Sequence, residues 1–153
     1  MEFDRSLSRR RTLMLGGSAA LATWLAPNLV VADENAVAAE IKKLYGDKAP
    51  ASGKIKLDIP EIAENGLVVP VNIEVESPMT EGDYVKAVHL FADGNPLPGV
   101  LTYKFSPACG KAAASARMRL AQTQNVVCVA EMSNGSLYTA KANVKVTIGG
   151  CGG

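Results

Sequence analysis

The spacing of apolar residues changes once along the chain. From Asp33 to Tyr45, Val37, Ile41, Leu44 and Tyr45 recur at i, i+4, i+7 and i+8, one stripe of a 3.6-residue period. This predicts a short N-terminal helix over 33–46, with Asp33 and Glu34 at its start, Lys42 and Lys43 near its end, and Gly46 as a left-handed cap. After Pro50 the period becomes two. Ile55, Leu57 and Ile59 alternate with Lys54, Lys56 and Asp58, and Val69, Val71, Ile73 and Val75 alternate with Asn72, Glu74 and Glu76. Val85–Ala92 and Val126–Met132 are more continuously apolar, Leu101–Phe105 is short, and Ala116, Met118 and Leu120 alternate with Arg117 and Arg119. Leu137–Ile148 alternates again, with Lys141, Asn143, Lys145 and Thr147 on one face. Turn signals at Glu64-Asn65-Gly66, Ser77-Pro78, Asp93-Gly94-Asn95-Pro96 and Ser133-Asn134-Gly135 separate about seven strands. The pattern predicts an all-β fold, an immunoglobulin-like antiparallel β-sandwich over 51–148.

The segment before the helix has another character. Ser8-Arg9-Arg10-Arg11-Thr12-Leu13-Met14 leads into an apolar run to Leu25, and Val30-Val31-Ala32 supplies small residues beyond it. Basic, apolar and small in that order is a signal peptide, and the paired arginines with a modest apolar run point to the twin-arginine route. We expect residues 1–32 to be removed and the mature chain to be periplasmic, in an oxidising compartment and not held in a membrane. Without those residues the chain carries 12 basic and 13 acidic side chains. That near-neutral balance counts against nucleic acid as a partner, because phosphate binding needs a basic surface.

Charge therefore changes the picture little, whereas the cysteines change it a great deal. There are three: Cys109, Cys128 and Cys151. An odd number leaves at least one thiol free or paired between chains. Cys128 lies in the apolar run and Cys109 follows Ser106-Pro107. A bridge between them would close a loop of about 20 residues and add about 3 kcal/mol. Two unpaired cysteines, Cys128 buried, is the equal alternative. His89, the one histidine, sits mid-strand and reads as a packed strand residue. No spacing suggests a zinc site, and no metal or cofactor is expected.

Cys151 stands in Gly149-Gly150-Cys151-Gly152-Gly153. Four glycines remove every neighbouring side chain and make 149–153 a flexible arm. From Ile148 the thiol can reach about 10 Å. No base adjoins it in sequence, so the design suits a thiol that other enzymes act upon, and no catalytic residue is assigned.

These residues, with Glu64-Asn65-Gly66, Ser77-Pro78-Met79, Asp83-Tyr84-Val85 and Phe91-Ala92-Asp93-Gly94-Asn95-Pro96-Leu97-Pro98, resemble the SoxY family of thiosulfate oxidation, whose hallmark is the terminal glycine-glycine-cysteine-glycine-glycine. The resemblance implies a carrier that holds sulfur covalently on Cys151. It implies a SoxZ-like β-sandwich partner, a haem-containing enzyme that couples thiosulfate to the thiol, a hydrolase that releases sulfate, and in some systems a sulfane dehydrogenase. Three readings compete. One is a modifier activated at its terminal carboxylate. Another is an exported structural or binding domain that uses Cys151 for an intermolecular disulfide. The third is a thiol oxidoreductase, which would need a resolving cysteine.

Overall fold

A computed structural model describes residues 34–149. The expected signal segment 1–32, Asp33 and the last four residues, Cys151 among them, lie outside the described residues.

The helix forms where the period predicts it, as α1 (Glu34–Tyr45). Gly46 takes φ +68° and donates its N–H to the Lys42 carbonyl at 2.7 Å, so it is the left-handed cap. The buried stripe is narrower than the spacing suggested. Val37, Ile41 and Tyr45 pack on Phe91, Val127 and Val129, while Leu44 stays half exposed at the margin.

Nine β-segments follow, in two sheets. The larger runs β1 (Ala51–Ser52), β9 (Leu137–Val146), β8 (Gln124–Met132), β5 (Val85–Ala92), β6 (Gly99–Lys104), and β3 (Ile62–Ala63) also pairs with β9. The smaller runs β2 (Ile55–Asp58), β4 (Val69–Val75), β7 (Ala112–Met118). The two-sheet sandwich agrees with the expected fold class. The long strands are antiparallel, but β1 and β3 pair with β9 in parallel, a departure from the purely antiparallel expectation. Each is two residues long, too short to show any alternation.

In β4 the pleat turns Val69, Val71, Ile73 and Val75 into the core and leaves Pro70 and Asn72 outside. β5 and β8 read as continuous apolar runs because both of their faces are covered. Leu90, Val126, Cys128 and Ala130 face the sandwich interior, and Phe91 and Val129 face α1. β7 begins four residues before the alternation around Met118 suggested. Its first half is Ala-Ala-Ala-Ser, which carries little strand signal but pairs residue by residue with β4. Leu120, expected in that strand, lies beyond it, fully buried, and closes one end of the core.

His89 belongs to the α1 side of the large sheet. Its ring meets Tyr45 edge-on at 5.7 Å and stacks on Phe91 at 6.2 Å, and its Nδ1 shares a hydrogen bond with Thr102 Oγ1 at 2.9 Å. Burial lowers its pKa from the ordinary 6.5, Glu131 opposes that shift, and Lys104 adds to it. A histidine with a lowered folded pKa stabilises the fold above its unfolded pKa, and this contribution is lost as pH falls below about 6.5. We expect the melting temperature to fall from pH 7.5 to 5.5 and His89→Gln to flatten that slope, as read by scanning calorimetry at matched ionic strength.

Candidate functional site at the root of the glycine arm

The arm begins where β9 ends, and its root is held from two sides. On one side lies the segment 61–66. Lys145 N–H donates to Glu61 O at 2.8 Å and Thr147 N–H to Ala63 O at 3.0 Å. Thr147 Oγ1 donates to Glu64 O at 2.9 Å, and Gly66 N–H donates to Ile148 O at 2.8 Å. On the other side lies the loop 119–123. Val146 N–H donates to Thr123 Oγ1 at 3.0 Å, and that hydroxyl donates to Val146 O at 3.4 Å. The two sides are joined by Leu120 N–H, which donates to Gly66 O at 2.8 Å.

Gly149 is part of this root. A Cβ built on it would collide with the backbone carbonyl of Ala121. The first glycine of the terminal run is therefore required by close packing of two backbones. Ile148, beside it, is 68% exposed. Gly150, Cys151, Gly152 and Gly153, which complete the expected arm, lie outside the described residues.

Behind the loop 119–123 sits a polar lock, where the sequence pattern predicts only a turn. Asp93 accepts Asn125 N–H at 2.8 Å and Asn125 Nδ2 at 2.7 Å. Gly94 N–H donates to Gln124 Oε1 at 2.6 Å. Asp93 and Gln124 are the buried polar side chains among the described residues. The signal that would have found this lock is the pairing of Asp93 and Asn95 with the amide-rich Gln122–Asn125, two polar clusters between apolar strands.

The other two cysteines do not form the bridge held open as one alternative: both are free. Cys128 points into the core from a strand flanked by β5 and β9, whereas Cys109 lies exposed on a single 3-10 turn (Pro107–Cys109) between β6 and β7. Burial pushes the Cys128 thiol up to about 12, so it carries almost no thiolate at neutral pH. In reduced, folded protein we expect a disulfide reagent to titrate Cys109 and Cys151 quickly and Cys128 only after unfolding. Peptide mapping of the labelled thiols checks this. Among the described residues no three His, Cys, Asp or Glu side chains gather as metal ligands.

The family model of the sulfur oxidation protein SoxY matches residues 41–151, from within α1 through the expected carrier cysteine. The chain belongs to the SoxY family. The sulfur carrier protein SoxY from Chlorobium limicola f thiosulfatophilum superposes with a TM-score of 0.62 at 33% identity, covering 74% of this chain and 98% of that one. The likeness extends, as fold alone, to a superoxide reductase (neelaredoxin) from Ignicoccus hospitalis, with a TM-score of 0.56 at 17% identity over 63% of this chain and 82% of that one. A putative superoxide reductase from Thermotoga maritima gives 0.52 at 16% identity over 69% and 89%. No curated protein matches the chain. SoxY membership makes this a sulfur-oxidation protein, supports a carrier role, and implies Sox-system partners such as SoxZ.

Proposed function

We propose that this SoxY-family protein works in the periplasm as a covalent carrier, with sulfur intermediates held on Cys151 and presented to separate enzymes. The observation that carries the reading is the root itself. Hydrogen bonds from both sides hold the chain through Ile148, and the thiol stands two residues beyond Gly149. A two-residue span extends at most about 7 Å, so the sandwich sets where the thiol can search and the glycines keep its path slender.

The chemistry balances with partners that supply it. A haem-containing partner removes two electrons and the thiol proton as the outer sulfur of thiosulfate bonds to Cys151, giving a cysteine S-thiosulfonate. Water then cleaves the bond between sulfur and the sulfonate, a hydrolase releases sulfate, and a persulfide remains. A sulfane dehydrogenase or a transfer step clears the last sulfur. A SoxZ-like sandwich is the structural partner. Covalent attachment keeps each intermediate at high local concentration at every station. Residues 1–32 serve as the twin-arginine export signal, so the carrier meets its partners in the periplasm.

Intact mass spectrometry of the periplasmic protein from thiosulfate-fed cells, with and without reductant, tests the reading. Reductant-sensitive additions of sulfur or sulfonate on the last peptide support it. An unmodified thiol, or only a disulfide dimer through Cys151, in cells consuming thiosulfate would refute it and favour a structural domain that crosslinks through that cysteine.

A further inference from the structure

We propose that Asn95 is a positioning residue for the carrier arm, an inference that rests on the carrier reading of Cys151. Asn95 is in the loop between β5 and β6, but its side chain works on the loop 119–123. Its Nδ2 donates to Arg119 O at 2.9 Å, and its Oδ1 accepts both Ala121 N–H and Gln124 Nε2 at 2.9 Å. One amide thus fixes the backbone on both sides of Leu120, the residue whose N–H reaches Gly66.

Every backbone contact on that side of the arm depends on where this loop runs. Ala121 presents the carbonyl against which Gly149 packs, and Thr123 presents the hydroxyl that bonds both polar groups of Val146. Gly66, held by Leu120, in turn bonds Ile148. A chain of backbone and side-chain contacts therefore runs from Asn95 through the loop to residues 146–149. Gln124 holds the lock from behind and keeps a second bond to Gln122 O at 3.2 Å, so it remains partly satisfied without Asn95. Among the described residues, Asn95 is the lock side chain that hydrogen-bonds Arg119, Ala121 and Gln124 together.

Amide hydrogen exchange by NMR tests the assignment on the full mature protein. In Asn95→Ala the amides of Gly66, Ala121 and Val146 should exchange about 10-fold faster or more, with β5 and β8 amides near Leu90 and Ala130 little changed. Asn95→Asp keeps an acceptor for Ala121 N–H and Gln124 Nε2 but sets a carboxylate oxygen against Arg119 O, so it too should speed exchange at these amides. A core variant at the far end of β8, Met132→Ala, serves as the control for general destabilisation. In thiosulfate-fed cells the loaded fraction of Cys151 should fall about fivefold or more in Asn95→Ala, while its reaction with a small disulfide reagent stays within about twofold. Root amides that exchange as in wild type, or that speed up no more than in Met132→Ala, would overturn the proposal. So would unchanged loading of Cys151. If wild-type Cys151 carries no sulfur, the carrier reading fails, and the exchange data still decide whether Asn95 fixes the root.

Discussion

We expect Cys151→Ser to abolish thiosulfate-dependent mass addition to the terminal peptide and to leave the fold intact. A serine hydroxyl matches the thiol in size but cannot form the sulfur–sulfur bond on which the proposed cycle depends. The other thiols are poorly placed to take over. Cys128 is buried with its pKa pushed up to about 12, and Cys109 sits on a turn outside the arm. The exchange of sulfur for oxygen changes the side chain little in size, and the core cluster among the described residues is built from residues 55–146, so the melting temperature should stay within about 2 °C of wild type. Loading is read by intact mass spectrometry of periplasmic protein and folding by calorimetry on the same sample. Sulfur that still appears on the serine variant would have to sit on Cys109, and peptide mapping would reveal that at once.

Gly149→Ala should give the second largest effect. It separates placing the thiol from possessing it. The added methyl meets a backbone carbonyl, that of Ala121, which cannot swing aside as a side-chain tip can. Relief has to come from the root, where the bond next to Gly149 is Gly66 N–H to Ile148 O. Losing one such bond costs about 1 kcal/mol, a small part of the total stability. The arm then leaves the sandwich in a different direction, and a displacement near 1 Å at a reacting group is worth about 100-fold in rate. We therefore expect loading to fall about 10- to 100-fold while the thiol still reacts normally with a small disulfide reagent. Loading equal to wild type would mean that the direction of exit does not matter to the partners.

Much of this could be read in the sequence, and the rest was hidden for definite reasons. The valines of β4 show their pleat directly because one face is buried and the other is wet. β8 hides its two-sided burial behind an unbroken apolar run, and only the placement of α1 explains it. β7 was placed late because alanines and a serine carry almost no strand preference, although β4 pairs with them fully. β1 and β3 are invisible at two residues each, and they exist because β9 offers them an edge. Cys151 stood out by its glycine neighbours. The lock around Asp93, Asn95 and Gln124 did not, because residues 30 positions apart meet only after β5 and β8 have paired. Gly149 looked like its neighbours in the run, yet the approach of Ala121 gives it a separate purpose.

The placement of β9 also bears on mechanical load. On the proposed carrier reading, a thiol that enters a partner enzyme and is withdrawn again pulls on its own chain. That pull enters the domain along β9, which is laddered to β8 from Val144 back to Leu137 and to β3 at Lys145 and Val146. Tension along a strand held on both edges loads many hydrogen bonds at once, in shear, instead of peeling them one by one. The domain is thus anchored like a sewn ribbon, and repeated tugging at the tip is borne by the larger sheet as a whole.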